Sequence, residues 1–544
     1  MLMRLFTGRQ PRRPRVALVA LLGVGLFGGA FAVLGWAPFA WAPLAILAFA
    51  LLFYLLQLNL GVGASLSMGF AFGLGLHITG HGWMYETLRA KVGFGPFAAG
   101  LSTFAFAGYL ALFTATPCAL MGLAIGRSRW RGAAAHGAEV LCFAALLTLG
   151  EWLRSVLFNG FTSLSIGYVT LDTWLAGFAP IGGTYMAGFV ALVLAGLPGC
   201  ASRSRAAATG AGVVAVALIA SGAALSRIAW AHTIGGPLSY RLVQSYVPQA
   251  RKFDPRFAPE HGKHIVDLIV ATPADIIATP ETTFKSNSNE FPGDALNRIQ
   301  RFSQQSASHI FLGVVMTAAN SDGFNSIMQI SPDLGAGTFA RYDKVRLMPF
   351  GEYTPIGFSW FTDSLRIPLK DMSAGRGDQE PMKLSKYNTT VNIGTLICLE
   401  DMIGRDAVKW AGSANLLLNP TNLAWFDNPL AIDQRLQIAR MRALEVARPI
   451  LRIANTGISA QIDARGNIGA RTSMGVEEVL SGTVQPTEGL TPYARLGDAP
   501  ALVLCAIGVA PLAWRTRKRR RDRFSASPLP ATDRAPPDQP AAPR

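Results

Sequence analysis

The sequence predicts a helical membrane domain followed by a layered α/β domain, and three observations carry that expectation. Half of the 544 residues are hydrophobic and only 15% are charged, and the mean hydropathy of +0.31 is too apolar for an ordinary water-soluble enzyme. Apolar stretches approaching or exceeding the ~20 residues needed to cross a bilayer crowd the first 228 residues and recur near 498–514. Between them, residues 236–488 change to short apolar runs separated by turns, with strand and helix periodicities alternating.

Eight spans are expected, near 17–35, 37–57, 64–82, 97–125, 134–153, 176–198, 208–227 and 498–514. Pro38 and Pro43 blur the start of the second. The first follows a basic start, as a cleaved signal peptide does. However, Gly35-Trp36-Ala37-Pro38 leads straight into more apolar sequence with no soluble domain to export, so it reads as a retained span.

The formal net charge of +16 is not that of a nucleic-acid-binding face, because the cations cluster at span ends. Arg4, Arg9, Arg12, Arg13 and Arg15 precede the first span; Arg127, Arg129 and Arg131 follow the fourth; Arg203 and Arg205 follow the sixth; a run from Arg515 to Arg523 follows the eighth. With alternating spans all these clusters fall on one side, which the positive-inside rule makes cytoplasmic; Arg89 and Lys91 are exceptions. Residues 1–16 and 515–544 are then cytoplasmic, and 236–488 lie outside. Residues 524–544, rich in Pro and Ala with few large apolar groups, have the composition of a disordered tail.

Within 236–488, Arg241–Val247 reads as a strand and His264–Val270 as an amphipathic helix. Strands follow at 275–279 and 309–316, then a hairpin at 324–343 turning at Asp333-Leu334-Gly335. Further strands are expected at 391–398 and 414–418, a helix over Asp433–Ala447 with Arg435, Arg440 and Arg442, and strands at 450–454 and 458–463.

Cys398 is the one cysteine of this domain; Cys118, Cys142, Cys200 and Cys505 lie in or at the ends of spans. An exported domain meets an oxidising compartment, where an unpaired thiol is either an inert buried residue or a nucleophile. A free thiol, with a pKa of about 8.5, needs a general base for attack. Glu281, closing the apolar run Ile276–Pro280, suits that role. Lys344 can stabilise an oxyanion, and Glu352 can pair with the lysine or shape the pocket. Singly, each also reads as a solvated charge; as a set they are the parts of a cysteine acyl-transfer site.

Thr279-Pro280-Glu281-Thr282, then Tyr342-Asp343-Lys344 with Pro349-Phe350-Gly351-Glu352-Tyr353, and Ile397-Cys398-Leu399-Glu400 resemble the Glu-Lys-Cys triad of the nitrilase superfamily. Gln437–Glu445, Thr483–Pro486, Gly489–Arg495, Gly150–Arg154 and Leu175–Gly183 resemble its membrane branch, the apolipoprotein N-acyltransferases. The similarity runs from about residue 20 to about 510. It implies an α-β-β-α nitrilase-like sandwich on the periplasmic side of a bacterial inner membrane, with no cofactor and no metal. It also implies transfer of an acyl chain from a phospholipid, usually phosphatidylethanolamine, through a cysteine thioester to the α-amine of diacylglyceryl-cysteine on an apolipoprotein. On this resemblance Glu281 is the base, Lys344 the oxyanion donor and Cys398 the nucleophile. Glu352 and Glu400 are supporting acids, and Trp425 and Phe426 line the acyl or lipopeptide entrance. Three positions differ from the family's pattern: Leu399 where an aromatic residue is expected, Leu423 in place of Asp, and Phe253 in place of Trp.

Two other readings stay open at this stage: a membrane-tethered amidase that resolves its acyl-enzyme with water, and a non-catalytic lipoprotein-binding paralogue. His77, His81, Glu151 and Arg154, ionisable groups in or near spans, are either structural anchors or headgroup contacts. The long loops around 353–380 and 420–432, with Phe358, Trp360 and Phe361, are expected to dip into the membrane surface.

Overall fold

The computed structural model describes residues 14–510, apart from 127–132, 203, 253, 255, 286–293, 319–320, 336, 360–370, 387 and 427. Phe253, Trp360, Phe361, the 515–544 tail and most of the basic clusters therefore lie outside the described residues.

The N-terminal region is a bundle of α1 (Pro14–Ala32), α2 (Ala42–Gln57), α3 (Val62–Gly80), the short α4 (Trp83–Ala90), α5 (Pro96–Gly126), α6 (Ala133–Val156), α7 (Ala179–Ala201) and α8 (Arg205–Leu225). Among the described residues, six apolar helical segments are long enough to cross a membrane: Leu18–Gly35, Val62–Gly80, Pro96–Ile125, His136–Asn159, Trp174–Ala201 and Arg205–Leu225. Of the other two expected spans, Ala42–Gln57 is shorter, and Ala499–Ala510 is the described part of the eighth, whose residues 511–514 lie outside the described residues. In the first of these the residues before Ala42 are spent on a turn. Trp36 is buried there and donates its indole N–H to the Ser165 carbonyl at 3.0 Å. Pro43 then opens α2, where its missing N–H costs nothing.

Water-excluded helices associate through close packing, which favours small residues at crossings. A Cβ at Gly29 would lie 1.9 Å from the Phe72 carbonyl oxygen, and one at Gly75 would lie 2.0 Å from that of Leu26. Glycines thus let α1 and α3 meet backbone to backbone. The ionisable groups of this region bond inward. Arg154 Nη2 donates to Ser165 Oγ at 3.0 Å and its Nη1 lies 3.4 Å from His77 Nε2. The His77 and His81 rings stack at 5.3 Å, and Glu151 accepts from the Ile166 N–H at 2.9 Å. These contacts favour the anchoring role.

The second region holds two sheets face to face. One runs β14-β2-β3-β5-β6-β7, with β4 (Phe284–Lys285) paired off β5, and is built from β2 (Leu238–Gln244), β3 (Ile276–Ala278), β5 (His309–Ala318), β6 (Ser321–Ile330), β7 (Ala340–Asp343) and β14 (Glu478–Val484). The other runs β13-β12-β11-β10-β9-β8, from β8 (Met382–Lys386) and β9 (Thr389–Thr395) through β10 (Leu416–Thr421) and β11 (Ile450–Ala454) to β12 (Ala460–Ile462) and β13 (Ile468–Arg471). β2-β3-β5 and β9-β10-β11 are parallel and the outer pairings antiparallel. The period of two sorts the side chains. Leu242 and Phe311 join the core shared with Ile393 and Leu417 of the facing sheet. Val243, Ile310 and Leu312 face outward onto α10 (Ala258–Val270) and α11 (Ala295–Ser306), which follow the short α9 (Gln249–Lys252). α12 (Gly404–Ala411) and α13 (Pro429–Val446) cover the other sheet. The result is the expected α-β-β-α sandwich.

α13 is buried on nearly all sides because its outer face meets the membrane bundle. Glu445 accepts from Thr184 N at 2.6 Å and Thr184 Oγ1 at 2.7 Å, and Gln437 donates to the Tyr168 carbonyl at 3.1 Å. The turn after Cys398 also enters the bundle's core, with Leu399, Met402 and Ile403 packed among its apolar side chains. The differing residue Leu399 is therefore a bundle-facing apolar contact.

Candidate active site

Four segments converge at the ends of the parallel strands. Glu281 does not end a strand as expected; it lies three residues past β3 in a turn. That turn crosses β5 at a glycine, where a Cβ on Gly313 would stand 1.9 Å from the Pro280 carbonyl oxygen. Thr282, next in the turn, has φ +52°, a costly conformation for a β-branched residue. Lys344 leaves the end of β7, and Glu352 follows after a short loop. Strand β9 stops at Thr395 rather than running to 398, and Cys398 opens a 3₁₀ turn, Cys398–Met402, with φ +49°. Such a non-glycine conformation costs of order 1–3 kcal/mol and needs its surroundings to hold it.

Glu400 provides much of that hold. Its Oε2 accepts from Ile397 N at 2.7 Å; its Oε1 accepts from Val345 N at 2.7 Å, Arg346 N at 3.2 Å and the Tyr342 hydroxyl at 3.0 Å. One buried carboxylate thus ties the cysteine turn to the segment that carries Lys344. Burial pushes the Glu400 carboxyl up to about 7, against the pull of these donors.

Lys344, 2% exposed, places Nζ 2.9 Å from Glu281 Oε1 and 2.9 Å from Glu352 Oε2. Asn325 Nδ2 bridges the same two carboxylates at 2.7 and 2.6 Å. Glu281 Oε2 accepts from Asn422 N at 2.8 Å, so the carboxylate is oriented through both oxygens. Burial alone would raise its carboxyl, but the Lys344 ammonium holds it below the ordinary carboxylate range. Lys344 itself is held well above its ordinary value: burial disfavours the charge, and Glu281 with Glu352 overrides it. Burial, then Glu281, pushes the Cys398 thiol up to about 11, with Lys344 and Arg435 opposing. At neutral pH the resting site therefore combines an ionised Glu281 carboxylate, a charged Lys344 and a protonated Cys398 thiol.

Trp425 and Phe426 are partly buried, and the Phe426 ring meets Trp83 edge-on at 4.9 Å, bridging this loop to the membrane bundle. Leu423, 1% exposed, packs near the backbone at Gly457. Sequence reasoning missed Asn325 and Asn422, which carry no motif, and also Lys252. Lys252 Nζ donates to the Glu281 carbonyl at 2.8 Å. Burial lowers its ammonium to about 7, with Glu281 and Cys398 resisting. Nothing in the local sequence separates it from Arg251 beside it.

Two groups thus titrate near neutrality with opposite demands: Glu400 must lose its proton to accept its four donors, and Lys252 must keep its own to lend positive charge to Cys398. Reaction of the Cys398 thiol with an acylating reagent is expected to rise with pH as Glu400 ionises and to fall again as Lys252 is discharged, a bell centred near 7. Lys252→Arg, charged at every accessible pH, should keep the rising limb and remove the falling one. Initial rates of acylation from pH 5 to 9 check this, and an unchanged falling limb in the variant would refute it.

A part-buried cysteine at a sharp turn, a buried glutamate held by a lysine, and an α-β-β-α frame are the features of the carbon-nitrogen hydrolase class. Residues 248–493 match the family described as carbon-nitrogen hydrolase, and 28–197 match the apolipoprotein N-acyltransferase N-terminal domain. Over most of its length the chain is similar to the apolipoprotein N-acyltransferases of Ralstonia nicotianae (35% identical, 93% of each chain covered) and Nitrosomonas europaea (34%, covering 89% of this chain and 95% of that one). The chain belongs to the apolipoprotein N-acyltransferase family.

Proposed function

We propose that the protein moves an acyl chain from a membrane phospholipid to the N-terminal amine of a diacylglyceryl-cysteine apolipoprotein, in two steps through a thioester on Cys398. The 35% identity over 93% of the chain to an apolipoprotein N-acyltransferase carries the reading, and the joining of Glu281, Lys344 and Cys398 in one site supports these residue roles.

In the first step Glu281 takes the thiol proton as Sγ attacks the ester carbonyl of the phospholipid. Lys344 neutralises the oxyanion; one such donor is worth about 3–4 kcal/mol. Collapse breaks the C–O bond, and the leaving lysophospholipid oxygen receives the proton from Glu281. In the second step the lipopeptide α-amine attacks the thioester, Glu281 takes its proton, and the thiolate leaves to be reprotonated. Glu352 keeps Lys344 charged and placed, while Glu400 holds the cysteine turn. Trp425 and Phe426, at the seam with the bundle, suit an entrance for a lipid chain. Phosphatidylethanolamine is the proposed donor.

The charge pattern favours a periplasmic catalytic domain, with eight apolar helices embedded and the basic ends in the cytoplasm. Both substrates are membrane-anchored, which agrees with a site sitting directly on the bundle.

Purified protein given phosphatidylethanolamine labelled in its acyl chain, then a diacylated lipopeptide, should carry the label first on Cys398 and then on the peptide amine. Mass spectrometry of both reads the transfer. Label leaving solely as free fatty acid, with or without peptide, would identify a hydrolase instead.

A further inference from the structure

Behind the nucleophile lies a charge cluster that the acyl-transfer chemistry above does not use. Arg435 donates from Nη2 to the Cys398 carbonyl at 2.8 Å and to Asp401 Oδ1 at 2.5 Å. Arg452, 1% exposed, donates to Asp401 Oδ2 at 3.0 Å and also to the neutral Asn419 side chain. Two guanidinium groups therefore share one carboxylate. Among the described residues, Arg435 Nη1 and Arg452 Nη2 are buried with no hydrogen-bond partner. Leaving a charged donor buried and unsatisfied is costly, and Glu281 and Glu352 do not compensate, because both are already bonded to Lys344 and Asn325. The surplus positive charge sits against the backbone of the nucleophile, and its field reaches the thiol.

An anion meets that surplus naturally, and the proposed donor carries one. The phosphate diester of a glycerophospholipid is a handful of covalent bonds from its ester carbonyls, so a lipid attacked at Cys398 brings its phosphate close to the cysteine turn. The diacylglyceryl acceptor has no phosphate. We propose that Arg435, backed by Arg452, recognises the phosphate of the acyl donor, making it a specificity-determining residue for the loading step and not for the transfer step. This rests on the acyl-transfer reading. Guanidinium suits the task because its planar fork matches phosphate oxygens.

The test compares Cys398 acylation in detergent by phosphatidylethanolamine and by a phosphate-free ester, p-nitrophenyl palmitate, in wild type, Arg435→Gln and Arg435→Lys. Because Arg435 also holds the Cys398 carbonyl, both donors should react more slowly with Arg435→Gln. The loss in kcat/KM should be about 10-fold or more greater for the phospholipid, the order expected of one charge-assisted hydrogen bond. Arg435→Lys should recover part of that selectivity. Equal losses for the two donors, or an Arg435→Lys variant as unselective as Arg435→Gln, would reduce Arg435 to a positioning residue and overturn the proposal while leaving acyl transfer intact. Wild-type protein that acylates Cys398 from neither donor would instead refute the acyl-transfer reading itself.

Discussion

Cys398→Ala is expected to abolish acyl-enzyme formation and N-acylated product together, a loss of at least about 10⁴-fold, as for removal of the nucleophile in a covalent mechanism. The same change should barely affect folding. Cys398 is only partly buried, and its turn is held by the Glu400 carboxylate and the Arg435 guanidinium rather than by the thiol. A single surface-edge truncation of this kind moves stability by roughly 0.5 kcal/mol or less. Intact-protein mass spectrometry and thermal unfolding in detergent separate the two quantities. Full turnover by the alanine variant would end the proposed mechanism.

Lys344→Met should do damage of both kinds. The ammonium is buried between Glu281 and Glu352 at 2.9 Å from each. Removing it strands two carboxylates in a dry site, at a cost of about 3–5 kcal/mol for a broken buried pair. It also removes the proposed oxyanion donor, worth about 10²–10³ in kcat. The pH sense follows from the shifts. Glu281, held below the ordinary range by the lysine, contributes stability that is present above the unfolded carboxylate value and lost as pH falls through its lower folded one. Lys344, held above its ordinary value, contributes stability that is complete below the unfolded lysine value and lost only as pH rises through its higher folded one. The pair therefore supports the fold across the whole neutral range, and Lys344→Met should lose that support throughout it. Adding Glu352→Gln to Lys344→Met removes one stranded charge, so it should regain stability and no activity. Recovery of activity in the double variant would show that Lys344 is not the oxyanion donor.

Much of the site was legible because its chemistry sits at strand ends in short runs with distinctive neighbours. Glu281 after an apolar strand, Lys344 after a hairpin and Cys398 after β9 are read from local patterns alone. The α13 helix was equally clear, with its arginines in place, but the tasks of those arginines were not. Arg435 reaches the Cys398 carbonyl and Arg440 pairs with Asp172 of the bundle, partners far away in sequence. Lys252, Asn325 and Asn422 carry no local signature, since a side chain becomes part of a site through the neighbours that folding brings. Strands β8 and β14 escaped notice because β8, Met-Lys-Leu-Ser-Lys, and β14, where Gly482 interrupts the apolar pattern, lie on or near sheet edges with weak alternation.

By itself the sequence determined the apolar helical bundle, the α/β domain and the order of Glu281, Lys344 and Cys398. Hydrophobic run length and periodicity are properties of neighbouring residues, and burial follows from them directly. Tertiary structure decided the rest: the left-handed turn at Cys398, the insertion of Leu399 among bundle side chains, the pairing of one lysine with two glutamates, and two arginines on one aspartate. These depend on which charges and surfaces are brought within a few ångströms of each other, because desolvation and Coulomb energies act through space and not along the chain.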